Sequence, residues 1–108
     1  MIRDVHAGLI SLGNARDARD ASLIYTHENA AVVDLAAEES PPQLPRELMV
    51  LRIPLIDGAG NAAVALRLAV EAVGLLVHRQ VPTLVACSAG MSRSPAVVAA
   101  ALAMVLRR

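Results

Sequence analysis

Short apolar runs of strand length alternate along this chain with longer segments of helical character. The runs lie at 8–12, 31–35, 48–54 and 82–86, and each is bounded by residues typical of turns or loops. Because strands that alternate with helices build parallel sheets, the pattern predicts an α/β domain with a mainly parallel central sheet flanked by helices. In such domains ligands bind beyond the carboxyl ends of the strands, so the residues that follow each run are the first candidates for a site.

Three segments predict helices. The first extends from Asn14, a candidate N-cap, to about Asn29. The second begins near Asn61 and is apolar except for one narrow polar stripe. That stripe consists of Arg67, Glu71 and His78. A helix with so little polar surface is expected to be mostly covered by the rest of the domain.

The third predicted helix starts at Ser94, which stands in the N-cap position, with Pro95 at the first helical position. Residues 96–106 include no polar side chain. A helix that is apolar all round needs cover on every side. We therefore expect either further helices of a longer chain or another chain, such as a second copy of this one, to cover its exposed side.

Composition narrows the classes of function. A chain of 108 residues has the length of one domain, so we expect a single domain over 1–108. Its ten basic and ten acidic residues cancel, which argues against binding to nucleic acid or to a membrane surface. No apolar segment is long enough to cross a bilayer and the N-terminus lacks a signal-peptide pattern, so a soluble protein is expected. Cys87 is the only cysteine, which excludes an internal disulfide and fits the reducing cytoplasm.

The segment that joins the last predicted strand to the last predicted helix, CSAGMSRSP, carries the most specific chemistry. Cys87 stands at a strand end and is followed by a five-residue loop, 88–92, and then by Arg93. A loop of this length can direct successive backbone N–H groups inward, and the positive end of the following helix adds to that anion site. The Arg93 guanidinium can hold two oxygens of a phosphate-like guest. The same field is expected to lower the pKa of the Cys87 thiol from about 8.5 towards the range of activated cysteines.

The order cysteine, five residues, arginine and serine, with a glycine midway, resembles the signature of the cysteine-dependent protein tyrosine phosphatase superfamily, and CSAGMSRSP is most similar to the dual-specificity subgroup. The resemblance implies a phosphotyrosine protein phosphatase-like fold with a phosphate-binding loop between the last strand and the C-terminal helix. The implied loop residues are Ser88, Ala89, Gly90, Met91, Ser92 and Arg93. It also implies hydrolysis of phosphate monoesters on a phosphorylated protein or peptide, through a phosphocysteine intermediate on Cys87 and without a cofactor.

Two further residues take their expected roles from the same resemblance. Asp57, in IPLIDGAGN, precedes Cys87 by thirty residues, as the general acid of the family does. It would protonate the leaving oxygen in the first step and activate water in the second. Ser94 would hydrogen-bond the sulfur and help the thiolate to leave when the intermediate is hydrolysed. The pair Asp57–Gly58 is also an ordinary turn signal, so a purely structural role for Asp57 stays open.

Two departures from the family pattern affect activity and substrate choice. Family members usually carry histidine directly before the nucleophile, where this chain has Ala86, so a less stabilised thiolate is expected, with weaker activity or activity at higher pH. Tyr25 is the only aromatic residue. We therefore expect a shallow cleft, rather than an aromatic slot for phosphotyrosine, and a substrate range that includes phosphoserine or phosphothreonine. The loop contains no lysine, which makes lipid phosphates less favoured substrates.

Two other classes of function stay open. A rhodanese-like sulfurtransferase also uses a cysteine in an anion-binding loop at a strand end, but it would need neither Asp57 nor Ser94. A non-catalytic phosphate-binding module is the second alternative, and Ala86 is the residue that favours it.

The other polar residues have structural interpretations. Asn14 and Asn61 are typical helix caps. Asp34 is interpreted as the end of a strand, and Glu38 and Glu39 as part of a solvated loop. The three histidines share no metal-ligand spacing, so no metal site is expected.

Overall fold

A computed structural model describes residues 2–89 and 92–106 and confirms the α/β architecture. Five strands, one short 3-10 turn and three helices follow one another in these residues. They are β1 (Arg3–His6), β2 (Ile10–Gly13), the 3-10 turn (Asp17–Arg19), α1 (Ala21–Thr26), β3 (Ala31–Ala36), β4 (Met49–Leu55), α2 (Ala63–His78), β5 (Thr83–Ala86) and α3 (Arg93–Leu106).

The strands form one sheet in the order β1-β2-β5-β3-β4. Strands β2, β5, β3 and β4 run parallel, and β1 is an antiparallel strand at the edge, so the mainly parallel sheet is confirmed. Ala86 is paired with Gly13 on one side and with Asp34 on the other. The carboxyl ends of three strands therefore meet where Cys87 leaves the sheet, which is the edge at which parallel sheets bind ligands.

Apolar side chains cover both faces of the sheet. Because successive residues of a strand point to opposite faces, Val33 packs on one side of β3 and Val32 on the other. The first face packs against α2 and α3, and the second packs against α1 and the 3-10 turn. Strands β3 and β5 are buried at every position, which explains why they are apolar except at Asp34 and Thr83.

The single helix predicted from Asn14 to Asn29 is wrong, because the chain makes a 3-10 turn and a short α-helix there. Asp20 has an extended backbone between the two, with φ −106° and ψ 93°, and its side chain accepts the Leu23 N–H at 3.1 Å as the N-cap of α1. Asn14 contacts the start of the 3-10 turn instead, since its side-chain oxygen accepts the Asp17 N–H at 2.9 Å. Short polar side chains that bind nearby backbone groups favour such interruptions.

The predicted starts of the two long helices also shift. Helix α2 begins at Ala63, and Asn61 does not cap it; its side chain binds the backbone of Ile56. Helix α3 begins at Arg93, so Ser94 lies inside the first turn and is not the N-cap. Its polar groups contact the sulfur of Cys87, as described below.

The expectation that α2 is mostly covered is wrong for the described part of the chain. Val64, Leu68 and Leu75 are each more than half exposed, at 60%, 51% and 56%. Helix α3 likewise leaves Met104 and Leu106 exposed. None of the helices described is long and apolar enough to span a membrane.

Candidate active site

Cys87 lies directly after β5, with its side chain buried and only 1% exposed. Its sulfur lies 3.3 Å from Ser94 Oγ and accepts the backbone N–H of Ser94 at 3.4 Å. That N–H belongs to the first turn of α3, where backbone N–H groups have no partner within the helix. The positive end of the helix is therefore directed at the sulfur, which favours a thiolate over a neutral thiol.

The loop after Cys87 is held by contacts with two other segments. The hydroxyl of Ser88 donates to Glu39 Oε2 at 2.9 Å, and the Ser88 carbonyl accepts the Ala15 N–H at 3.2 Å. Of the six predicted phosphate-binding residues, Gly90 and Met91 lie outside the described residues. The remaining four are in positions flanking them, between the end of β5 and the start of α3.

Arg93 is the buried cation of the site, with 8% of the residue exposed. Its Nη1 donates to Glu38 Oε1 at 2.6 Å and its Nη2 to Glu38 Oε2 at 2.7 Å, which is a two-pronged ion pair. Nη1 also donates to the Leu55 carbonyl at 2.8 Å. Leu55 is the last residue of β4, so Arg93 joins the end of β4 and the segment that follows β3 to the start of α3.

The remaining donors of Arg93 define where an anion can bind. A guanidinium has five N–H donors, and the contacts with Glu38 and Leu55 use both hydrogens of Nη1 and one of Nη2. Nε is buried and has no partner among the described residues. The Nε hydrogen and the second Nη2 hydrogen lie along the same edge of the planar group. That edge is a fork suited to two oxygens of a phosphoryl group.

Both partners of this ion pair are charged across the ordinary range of assay pH. The hydrogen bond from Arg93 lowers the pKa of Glu38 from 4.5 to about 2. The hydrogen bond to Glu38 in turn raises the pKa of Arg93, against the effect of burial. The charges of Cys87 and Asp57 raise the pKa of Arg93 further, so both groups lie within electrostatic reach of the guanidinium.

Asp57 lies in the exposed loop between β4 and α2. Its Oδ1 accepts the hydroxyl of Ser92 at 2.7 Å, which brings the carboxylate next to the end of the phosphate-binding loop. Asn61 folds this loop back on itself, since its side-chain amide binds both the N–H and the carbonyl of Ile56 at 2.8 Å. Gly58 and Gly60, at φ +99° and +101°, supply the left-handed backbone that the tight turn requires.

An open cavity of about 260 Å³ lies beside these groups. Asp57, Asn61, Ser92 and Arg93 contribute its polar lining. Most of the remaining wall is apolar and comes from the end of β4 and from the facing sides of α2 and α3. Those wall residues are Leu55, Ile56, Leu66, Ala96 and Val97. None of the described residues that line the cavity is aromatic or a lysine.

The interpretation of Asp34, Glu38 and Glu39 as a strand end and a solvated loop is correct for their location, since Asp34 is the third residue from the end of β3 and Glu38 is half exposed in the loop that follows, but it misses their contacts. Glu38 holds Arg93, Glu39 accepts the hydroxyl of Ser88, and Asp34 is fully buried beside Arg52. An acid inside an otherwise apolar strand, followed by two more acids at the carboxyl end, was the available signal. In the described part of the chain no cluster of three or more His, Cys, Asp or Glu could hold a metal ion.

The fold matches solved structures of cysteine-dependent phosphatases. Human DUSP28 is 28% identical, with 96% of this chain and 71% of that chain covered and a TM-score of 0.78. A mouse putative dual specificity phosphatase is 29% identical, with 94% and 62% covered and a TM-score of 0.75. OH1 from the Orf virus, a tyrosine phosphatase, is 24% identical, with 95% and 59% covered and a TM-score of 0.75, a likeness that shows the fold alone.

Comparisons with protein-family models and with curated proteins find no match. The chain spans less than two thirds of the length of OH1 and of the mouse phosphatase.

The order and direction of the strands and these structural matches show a fold similar to that of dual-specificity and tyrosine phosphatases. The resemblance to that superfamily is confirmed. Human DUSP28 and the mouse phosphatase are both more than 25% identical to this chain, and they support the predicted dual-specificity subgroup and a phosphatase enzyme.

Proposed function

We propose that this protein is a phosphoprotein phosphatase that hydrolyses phosphate monoesters through a phosphocysteine intermediate on Cys87. The observation that carries the proposal is the buried Nε of Arg93, which has no partner among the described residues and belongs to the same loop as the sulfur. A buried donor without an acceptor is costly, and a phosphoryl oxygen would satisfy it.

In the first step the Cys87 thiolate attacks the phosphorus atom and the bond to the ester oxygen breaks. The electron pair of that bond goes to the leaving oxygen, which takes a proton from Asp57. Arg93 and the loop N–H groups bind the phosphoryl oxygens and stabilise their charge in the transition state. The contact between Asp57 and Ser92 supports this assignment, because it keeps the carboxyl beside the loop.

In the second step Asp57, now ionised, takes a proton from water while the water oxygen attacks the phosphorus. The S–P bond breaks, and inorganic phosphate and the thiolate are released. The hydroxyl and N–H of Ser94, 3.3 and 3.4 Å from the sulfur, support a role in stabilising that thiolate as it leaves.

Phosphotyrosine, phosphoserine and phosphothreonine in proteins are the proposed substrates. The apolar cavity beside Asp57 would accept an aromatic ring or a smaller side chain. None of its described lining residues is aromatic, so no stacking contact there would favour phosphotyrosine over the other two. The absence of lysine from the loop disfavours lipid phosphates with several charges. The single cysteine supports a reducing compartment, and we propose a cytoplasmic location on that ground.

Steady-state hydrolysis of para-nitrophenyl phosphate and of the three phosphopeptide types tests the proposal. Wild type is expected to be active and Cys87→Ser inactive, while both bind inorganic phosphate. Sulfur transfer from thiosulfate that survives Asp57→Asn would support a sulfurtransferase instead. Equally poor hydrolysis by wild type and Cys87→Ser, with phosphate bound by both, would support a non-catalytic module and overturn the enzyme.

A further inference from the structure

Asp34 is a charged residue buried completely in the central strand β3. Its Oδ2 forms ion pairs with Arg52 Nη1 at 2.7 Å and with Arg19 Nη2 at 3.4 Å. A carboxylate without such partners would be very unfavourable at this position, so the three side chains form one unit. We call Asp34, Arg19 and Arg52 the Asp34 anchor.

The same two arginines also bind the backbone of the segment 37–40. Arg52 Nη2 donates to the Glu39 carbonyl at 2.7 Å and to the Ala37 carbonyl at 3.4 Å. Arg19 Nη2 donates to the Ser40 carbonyl. The segment leaves the sheet directly after β3 and is fastened to it by these contacts.

This segment carries the two acids that contact the phosphate site. Glu38 holds Arg93 through both carboxylate oxygens, and Glu39 accepts the hydroxyl of Ser88. Glu38 has a side chain that is half exposed, so packing alone does not fix its position. The carbonyl contacts of the Asp34 anchor hold the backbone on both sides of Glu38. Two backbone hydrogen bonds add to them, from the Ala37 N–H to the Leu55 carbonyl at 3.3 Å and from the Glu39 N–H to the Ala36 carbonyl at 3.2 Å.

We propose that the Asp34 anchor is a set of positioning residues for the phosphate site. By fixing the segment 37–40, the anchor holds the Glu38 carboxylate against Nη1 and Nη2 of Arg93. The edge of the guanidinium that includes Nε then stays free for the phosphoryl group. The inference rests on the proposed function, since it assigns Arg93 to a phosphoryl group. Glu38 then acts as a support for Arg93 and not as a competitor of phosphate.

The variant Arg52→Lys separates positioning from charge. Lysine keeps the positive charge beside Asp34, but it has no planar fork to reach Asp34 and the carbonyls of 37–40 together. We expect phosphate affinity to fall about tenfold, the equivalent of one lost hydrogen bond. Affinity is measured with inorganic phosphate on the Cys87→Ser protein, so that it does not depend on turnover. Arg79→Lys, in an exposed residue at the far end of α2, is the matched control and should change nothing.

A double-mutant cycle shows whether the anchor acts through Glu38. In a Glu38→Gln background, Arg52→Lys should change phosphate affinity by less than about twofold, because the contact between residue 38 and Arg93 that Arg52 positions is already weakened. The NMR resonance of Arg93 Nε–H should shift in Arg52→Lys and not in Arg79→Lys. Should Arg52→Lys fail to fold, Arg19→Lys tests the same anchor through the Ser40 contact.

The outcomes distinguish this inference from the proposed function. Unchanged or tighter phosphate binding in a folded Arg52→Lys protein would overturn the positioning role of the Asp34 anchor. The proposed function would be unaffected as long as wild type hydrolyses phosphate esters. Full additivity with Glu38→Gln would overturn it as well. A wild type that neither binds phosphate nor hydrolyses esters would overturn the proposed function itself.

Discussion

Replacing Arg93 with lysine isolates the geometry of the guanidinium from its charge. Both side chains are cations, so long-range attraction of a phosphate dianion stays the same. Lysine offers three donors at a single point instead of five donors in a plane. Glu38 and the Leu55 carbonyl would occupy at least two of the three, since both contact Arg93 in the native protein.

The magnitude follows from the number of donors that remain. Arginine has two hydrogens left for the phosphoryl group, and lysine has at most one. A hydrogen bond to a charged group contributes about 1.5–3 kcal/mol, so the loss of one should lower kcat/KM by about 10- to 10²-fold. Further loss is expected from the missing fork, because lysine cannot hold two oxygens in fixed orientation.

The assay is steady-state hydrolysis of para-nitrophenyl phosphate by purified Arg93→Lys, with thermal unfolding measured beside it. Arg79→Lys is the control for a change of the same kind at an exposed position. A folded Arg93→Lys enzyme whose kcat/KM stays within about threefold of wild type would refute the assignment of the Nε edge to the phosphoryl group.

Three further predictions test other parts of the account. Asp57→Asn should lower kcat about 10²-fold or more, and the loss should be larger for an alkyl ester than for para-nitrophenyl phosphate, whose leaving group needs protonation less; equal losses for the two esters would contradict a general acid. The Glu38 pKa is lowered to about 2 in the folded protein, so the contribution of its charge to the free energy of unfolding should be complete above its ordinary pKa of 4.5 and should disappear as the pH falls through 2. Urea unfolding of wild type and Glu38→Gln at several pH values would show this loss. Gly13→Ala should lower the free energy of unfolding by about 1–3 kcal/mol, because the new Cβ would meet buried side chains at 3.0–3.1 Å. Gly74→Ala should lower it by about 1 kcal/mol or less, because the clash is with the flexible end of a methionine and alanine favours the helix; equal losses in the two variants would contradict the packing.

Much of the fold could be predicted because its signals are local. The apolar runs at 31–35 and 82–86 coincide with β3 and β5, which are buried on both faces and have no polar interruption except Asp34 and Thr83. Strand β1 was missed because its residues, RDVH, are mostly exposed and polar and pair only at the edge of the sheet. The interruption before α1 depends on one side chain, Asp20, whose capping contact competes with helix continuation.

The site residues also divide into those that local sequence spacing predicts and those that only the fold brings together. Cys87, Arg93 and Ser94 lie within one short segment, so their spacing alone predicts a shared loop. Glu38 contacts Arg93 across 55 positions, and that pairing depends on where β3 and β5 lie in the sheet. Asp34 carried a signal, as a charge in a buried strand, but its partners are set by the fold.

Trapping the covalent intermediate tests the central assignment most directly. Enzyme mixed with excess phosphotyrosine peptide and stopped in denaturant within the first turnover should carry one phosphoryl group on the peptide that contains Cys87, as read by mass spectrometry, and Cys87→Ser should carry none. A phosphoryl group found on another residue, or turnover by Cys87→Ser at the rate of wild type, would contradict the account.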